Sequence, residues 1–318
     1  MTPPDKLVLG SRGSPLAMAQ AHLVRAMLAG HGMAPDAMPV IPFMTSGDRI
    51  QDRLLQDAGG KGLFTRELDI ALLEGTIDAG VHSMKDLPTR LPDGIVMACV
   101  PAREIPCDAF ISPHATGLAG LKPGAVVGTA SLRRQAQTLH QRPDLKVAML
   151  RGRVETRLEK LASGAFDATY LALAGLRRLK LEAHATSMVD MDIMPPAPGQ
   201  GALAVTVRAG DERVLALLQK LDVAEHAIAT SAERAFLLAL DGSCRTPIAA
   251  LATVKDGTLT FLGEVLTPDG KYRWRRTETI ALDGDPLAAA RALGLKLGAD
   301  IRAEAGPLYQ AQTGDKVW

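Results

Sequence analysis

The run Ile77-Asp78-Ala79-Gly80-Val81-His82-Ser83-Met84-Lys85-Asp86-Leu87-Pro88 begins apolar, turns polar at His82 and stops at a proline. Ile77 to Val81 predicts a strand, and Pro88, which has no ladder donor, closes the run. In an extended chain the adjacent Lys85 and Asp86 point to opposite sides. Enclosing both charges in a core strand would be costly unless each were paired. They are therefore expected past the strand end, where open α/β sheets bind ligands. A solvated strand-to-loop junction with a surface Lys and Asp accounts for the same residues, so the octapeptide from Val81 to Pro88 leaves both accounts open.

Strand and helix patterns alternate on both sides of this run. Lys6 to Leu9 predicts a strand, followed by a helix from Ser14-Pro15 to about Ala29 with Ser as N-cap and Pro at its first position. Val40 to Met44 predicts a second strand, and Gly47 to Gly62 a polar, mobile loop. Phe64 to Glu74 is an amphipathic helix closed by Gly75. Strands follow near Ala79 to Val81, Ile95 to Val100 and Ala109 to Ser112. The pattern repeats with strands at Ala125 to Gly128, Lys146 to Leu150 and Ala168 to Leu173. Helices at Leu132 to His140 and Val154 to Ala162 lie between them. Such alternation predicts parallel sheets covered on both faces.

The proline-rich break Met194-Pro195-Pro196-Ala197-Pro198-Gly199 marks a crossing segment between domains, and Gly201 to Val207 is another strand. The pattern changes after about Val223. A helix from about Ala224 to Leu240 precedes strands at Ala249 to Val254, Leu259 to Leu266 and Tyr272 to Ile280. These are joined at Asp256-Gly257 and Asp269-Gly270, both hairpin signals. A helix from about Pro286 to Glu304 completes a separate α+β domain.

Composition excludes several classes. A chain of 318 residues predicts roughly two or three domains. A 47% hydrophobic share is ordinary for a globular chain and rules against global disorder. The net charge of +1 gives the whole molecule no reason to bind nucleic acid or membranes, so anion binding must come from local clusters. Aromatic residues at 3% argue against base-stacking platforms. The scattered Cys99, Cys107 and Cys244 make no disulfide framework, and no histidine spacing predicts a metal site. Met1 to Gly10 is not a signal peptide and no segment reaches the ~20 apolar residues of a membrane span. A soluble cytoplasmic protein is expected.

Basic residues gather at segment junctions of the second α/β unit. Ser131-Leu132-Arg133-Arg134 opens a helix just after Gly128-Thr129. Arg151-Gly152-Arg153 follows a strand, Arg157 lies one turn into the next helix, and Arg177 and Arg178 follow a third strand. In a doubly wound sheet these junctions share a rim, where helix N-termini add free N–H groups. Guanidinium forks pair with carboxylates and phosphates alike. A pocket for several anionic groups and a solvated basic face both fit the clustering. Cys244 sits in the turn Asp241-Gly242-Ser243-Cys244-Arg245-Thr246-Pro247, where the neighbouring Arg245 favours thiolate; a reactive and an inert thiol are equally open. Cys99 lies in an apolar run and reads as core. Gly59-Gly60-Lys61-Gly62 lacks the Ser or Thr of a phosphate loop, and Gly199-Gln200-Gly201-Ala202 opens a strand instead of the helix a dinucleotide fingerprint needs.

Taken in order, these segments resemble the porphobilinogen deaminase (hydroxymethylbilane synthase) family over nearly the whole chain. The resemblance rests on Ser11-Arg12-Gly13-Ser14-Pro15-Leu16-Ala17, Gly59-Gly60-Lys61-Gly62-Leu63-Phe64 and the Val81 to Pro88 segment. It continues in Gly128-Thr129-Ala130-Ser131-Leu132-Arg133-Arg134-Gln135, Leu150-Arg151-Gly152, Pro196-Ala197-Pro198-Gly199-Gln200-Gly201-Ala202 and the Cys244 turn. It implies two domains like the halves of a type II periplasmic binding protein, with mixed, mainly parallel sheets and an active site in the cleft between them. A C-terminal α+β domain with a three-stranded antiparallel sheet follows. The domains are placed at residues 1–101 with 202–222, at 102–201 and at 223–318.

The family implies head-to-tail condensation of porphobilinogen with loss of ammonia onto a dipyrromethane cofactor, then hydrolytic release of hydroxymethylbilane. Carried over residue by residue, Asp86 is the catalytic carboxylate and Cys244 the thioether attachment point. Lys85, Ser83, Thr129, Ser131, Arg133, Arg134 and Gly152 are expected at the cofactor. Arg12, Ser14, Phe64, Arg151, Arg157, Arg177 and Gln200 are expected at the substrate. No metal is implied, and a monomer is expected. The Gly47 to Gly62 loop is expected to move as the product lengthens. The chain departs from the family pattern at Arg153, Asp57, Ser243 and Ala130, none of which removes an essential group. A two-lobed anion-binding protein is the competing account, since fold does not fix function; the Cys244 turn weighs against it. A ligand-sensing transcription regulator lacks its helix-turn-helix.

Overall fold

A computed structural model describes residues 5–49, 62–240 and 246–313 of the chain. Cys244, Ser243, Asp57, Lys61 and residues 50–61 of the predicted loop lie outside the described residues. The chain divides into two compact units, Met1–Glu104 with Gly201–Ala227, and Ile105–Gln200 with Ile228–Trp318.

The first unit opens with β1 (Leu9–Arg12), α1 (Pro15–Gly30), β2 (Val40–Phe43), α2 (Ser46–Arg49), α3 (Arg66–Leu73), β3 (Ala79–Ser83) and β4 (Ile95–Cys99). The second begins with β5 (Asp108–Ile111), β6 (Val126–Gly128), α4 (Leu132–Gln141), β7 (Lys146–Ala148), α5 (Val154–Ala162), β8 (Ala168–Ala172), α6 (Leu173–Arg178) and β9 (Ser187–Met188). The chain then returns to the first unit as β10 (Leu203–Arg208) and α7 (Glu212–Leu218). Along α8 (Ala224–Ala239) it passes to the second, ending in β11 (Ile248–Lys255), β12 (Thr258–Leu266), β13 (Arg273–Ala281) and α9 (Pro286–Thr313), which kinks at Gly306 before Pro307.

The two five-stranded sheets have the same plan. Their orders are β2-β1-β3-β10-β4 and β7-β6-β8-β5-β9. In each, one strand runs against the others, β10 in the first and β5 in the second. In the first sheet that strand, β10, returns from a distant part of the chain, which local periodicity does not reveal. The sheets are therefore mixed, as the resemblance implied, and not purely parallel as alternation alone predicts.

In the first sheet β1, β3 and β10 bury Leu9, Val81, Leu203 and Val205 against Ala21, Val24 and Leu28 of α1. Removing such side chains from water at about 25 cal/mol per Å² is the main stabilising contribution. Helix α1 starts as expected, Ser14 Oγ accepting from Ala17 N at 3.3 Å. The C-terminal sheet packs Ile248, Phe261 and Val265 against Phe236 of α8 and Leu293 and Leu297 of α9. Its first hairpin turns at Asp256 and Gly257, with φ of 49° and 70°. Positive φ at both central residues matches the twist of paired strands. Asp269-Gly270 does not make a second two-residue turn: register resumes only at Leu266 and Arg273, and the wider loop docks on α4, its Gly270 carbonyl 2.8 Å from His140 Nδ1.

One buried acid ties this sheet to the proline-rich segment. Glu233 of α8 accepts from Gly199 N at 2.6 Å and from Ala252 N at 2.9 Å, while Ala250 N donates to Pro196 O at 3.0 Å. Among the described residues no helix is long and apolar enough to cross a membrane.

Candidate active site

Strand β3 ends at Ser83, paired with Leu203 of β10, and the ladder runs one bond further, Met84 N donating to Ala202 O at 3.0 Å. The chain then makes a 3-10 turn over Met84–Asp86, closed by Leu87 N on Met84 O at 3.0 Å. In such a turn residues three apart share a face. Met84 and Leu87 are both buried, with Val100, Ala202 and Ala204. The intervening Lys85 and Asp86 are thereby left outward, Lys85 exposed and Asp86 partly so. The backbone here is turned, so the two charges do not alternate as in an extended chain. Two apolar anchors present them.

Asp86 opens onto a recess also lined by Arg12, Ser14, Gln20, Phe64, His82 and Ser83. Arg12, the last residue of β1, places Nη1 3.7 Å from Asp86 Oδ2. Its Cζ lies 4.2 Å from the centre of the Phe64 ring, a cation–π stack. Its other edge is engaged by Asp48 of α2, Nε donating to Oδ2 at 3.3 Å and Nη2 to Oδ1. Ser83 Oγ accepts from Gln20 Nε2 at 2.8 Å. His82, on the opposite face of β3, meets Thr206 Oγ1 at 3.0 Å; burial, and then the Arg12 charge, push its imidazole down to about 4. Burial alone would raise the Asp48 carboxyl, but hydrogen bonds from Arg12 and Thr45 prevail and hold it below the usual range.

The second unit gathers the basic residues. Thr129 Oγ1 accepts from Ser131 N at 3.1 Å and Ser131 Oγ caps α4 on Arg134 N at 3.4 Å, which leaves each hydroxyl hydrogen to donate. Arg133 and Arg134 turn inward. Arg134 grips Asp108 through Nε at 3.1 Å and Nη2 at 2.8 Å, and Arg133 Nη2 adds a contact at 2.8 Å. Gln200 is buried in the same network, its Nε2 2.6 Å from Pro106 O and 2.8 Å from Asp108 Oδ1. Burial raises the Asp108 carboxyl less than its two arginines lower it, so it stays strongly ionised.

Nearer the surface, Arg157 Nε donates to Gly152 O at 2.9 Å, made possible by a Gly152 φ of 122° that favours glycine. Desolvation, then the charges of Arg134 and Arg151, lower the Arg157 guanidinium to about 10. Arg177 contacts Glu182 at 3.4 Å. The charges of Arg134 and Arg151 bearing on Arg157 are what a ligand with several carboxylates would offset, so these residues fit a polyanionic dipyrromethane.

Within each unit, then, the expected residues group as Arg12, Ser14, Phe64, Ser83 and Asp86, and as Thr129, Ser131, Arg134, Arg151, Gly152 and Arg157. Arg133 and Gln200, like Arg134, lie in the interior around Asp108, and Arg177 pairs with Glu182. Asp48, Thr45, Gln20 and His82 are additional. Thr45-Ser46-Gly47-Asp48 carries a helix-start signal, [ST]-x-x-[DE], that would have shown Asp48.

The chain matches the family models described as porphobilinogen deaminase, dipyromethane cofactor binding domain, over residues 7–216, and porphobilinogen deaminase, C-terminal domain, over residues 227–303. It is 51% identical over 308 residues to the porphobilinogen deaminase of Phenylobacterium zucineum (strain HLK1), covering 94% of this chain and 96% of that protein. It is 52% identical over 308 residues to that of Caulobacter vibrioides (strain NA1000 / CB15N), covering 94% and 95%. Among solved structures, a periplasmic substrate-binding protein of an ABC transporter from Coxiella burnetii aligns over 68% of this chain and 91% of its own, with 17% identity and a TM-score of 0.43.

Proposed function

Because the chain belongs to the porphobilinogen deaminase family, we propose that Asp86 is the carboxylate at which this transferase does its chemistry. The enzyme condenses porphobilinogen head to tail with loss of ammonia and releases hydroxymethylbilane, a step of tetrapyrrole and heme biosynthesis. Its dipyrromethane, held by a thioether to Cys244, supplies the primer ring on which condensation begins.

The chain's own residues account for the rest. Porphobilinogen that loses ammonia becomes an electron-deficient azafulvenium cation. A fixed carboxylate beside the pyrrole N–H stabilises that cation most where its position is set in advance. The observation that carries the assignment is the 3-10 turn: buried Met84 and Leu87 fix the backbone, and Asp86 faces the Arg12 recess. Asp86 can also take or return a proton there. Each pyrrole bears an acetate and a propionate, so Arg12 and Ser14 bind substrate carboxylates, with Phe64 orienting Arg12. Thr129, Ser131, Arg134, Arg151 and Arg157 hold the anionic cofactor and the growing product, while Arg133 and Gln200 set the frame behind them. Ser83 and Lys85 flank the cofactor, and Arg177 serves an incoming ring. The reading carries with it a monomer working in the cytoplasm.

The test is Asp86→Asn. Turnover of porphobilinogen to hydroxymethylbilane should fall by about two to four orders of magnitude, the range for removing a general acid–base or charge-stabilising group, with melting temperature unchanged. Near-normal product formation would refute the assignment.

A further inference from the structure

Asp48 lies outside every expected set of site residues, yet it determines where the Arg12 charge goes. The Arg12 guanidinium is constrained on three sides. Its Nε–Nη2 edge donates to both oxygens of Asp48, one face rests on Phe64, and Nη1 points at Asp86 from 3.7 Å, beyond hydrogen-bond length. Asp48 is fixed in turn by the start of α2, its Oδ2 accepting from Thr45 N at 3.2 Å and Thr45 Oγ1 at 2.7 Å. Thr45 is fully buried, so this anchor does not compete with water.

An arginine facing two carboxylates can give its bidentate fork to only one of them. Here the fork is taken by Asp48. We propose that Asp48 is a positioning residue that holds Arg12 off Asp86, leaving the Asp86 carboxylate its charge and lone pairs for the substrate pyrrole nitrogen and leaving Arg12 Nη1 for a substrate carboxylate. Among the described residues lining the recess, Arg12 is offset by Asp48, and Asp86 adds a negative charge that suits a cationic intermediate. His82 on β3, buried against Thr206, is neutral above about pH 4 and does not alter that balance. Lys85 lies on the exposed side of the turn. The inference rests on the role proposed for Asp86.

Asp48→Asn keeps the shape and removes the charge. Arg12 then swings to Asp86, and crystals of the variant show the 3.7 Å separation replaced by a direct ion pair of about 2.8 Å. Charge-assisted bonds of this kind are worth enough that kcat should fall about tenfold, with KM changed less than about threefold. The acidic limb of the kcat/KM profile moves to lower pH, a shift that mere loosening of α2 would not produce. Thr45→Val, which deletes one anchor without disturbing packing, gives the same changes at a smaller size, and Asp48→Glu restores most of the turnover. Wild-type kcat in Asp48→Asn overturns the proposal. So does lost activity with an unmoved acidic limb and an unchanged Arg12–Asp86 distance. If Asp86→Asn is inactive while Asp48→Asn is normal, the role of Asp48 alone fails; if Asp86→Asn stays active, the reading of Asp86 fails first.

Discussion

Asp108 Oδ2 and Arg133 Nη2 lie 2.8 Å apart, with side-chain exposures of 0% and 5%. Arg134 and Gln200 meet the same carboxylate, so a single acid on β5 gathers the start of α4 and the end of the proline-rich segment. The network goes on through Gln137, whose Nε2 donates to the buried Glu264 of β12 at 2.9 Å, and Glu264 accepts from Arg275 Nε at 2.9 Å. The two parts of the second unit are therefore joined by polar contacts as well as by apolar packing.

Asp108→Asn leaves two enclosed cations with half a partner. Breaking a buried ion pair in this way costs about 3–5 kcal/mol, and a drop of that size is expected in denaturant unfolding. The pH dependence has a definite sign. The Asp108 carboxyl is lower in the folded chain than in the unfolded one, so its contribution is fully present above about pH 4 and is lost as pH falls below that. The variant should show a shallower acid-side decline in melting temperature than the parent.

His82 behaves oppositely to a histidine that gains a partner on folding. Its folded value is about 4, below the unfolded one, so its contribution is complete above about pH 6.5 and is lost as pH falls toward 4. His82→Gln keeps a side chain able to bond Thr206 and removes the titration. Between pH 6.5 and 4 the parent unfolding constant should rise up to about tenfold per pH unit more steeply than that of the variant.

Arg157→Gln separates binding from folding. Removing a desolvated guanidinium that faces the charges of Arg134 and Arg151 leaves the cofactor-free protein equally or slightly more stable, by about 0–1 kcal/mol, in thermal unfolding. The same change raises KM for porphobilinogen. A loss of stability without a change in KM would place Arg157 among structural cations instead.

The mass of the purified chain tests the attachment. An excess matching two linked pyrroles is expected, with a red colour in acidic Ehrlich reagent, and Cys244→Ser should lose both. A Cys244→Ser protein that retains the excess would move the thioether elsewhere.

Periodicity shows the elements whose burial is local. Ser14-Pro15 opens α1 as a cap-and-proline pair should, and Asp256-Gly257 makes its tight turn. It misses β10 between β3 and β4, because that pairing spans more than a hundred residues and a buried strand reads alike in any sheet position. It also cannot tell that both adjacent arginines face inward, since the deciding charge, Asp108, sits in another strand. Asp86 is legible as a strand-end acid, but its presentation depends on Met84 and Leu87 packing under a turn. Asp48 was hidden by its glycine-containing neighbourhood, although its capping signal was present.

The Glu233 carboxylate acquires a wider meaning beside the cysteine turn. By fastening Gly199 and Ala252 to α8, it makes the strand that begins at Ile248 a mooring post four residues along from Cys244. On the proposed attachment, a lengthening oligomer is rooted close in sequence to a strand held by buried hydrogen bonds. Each added ring must then be taken up at the free end, with the fastened end left where it began.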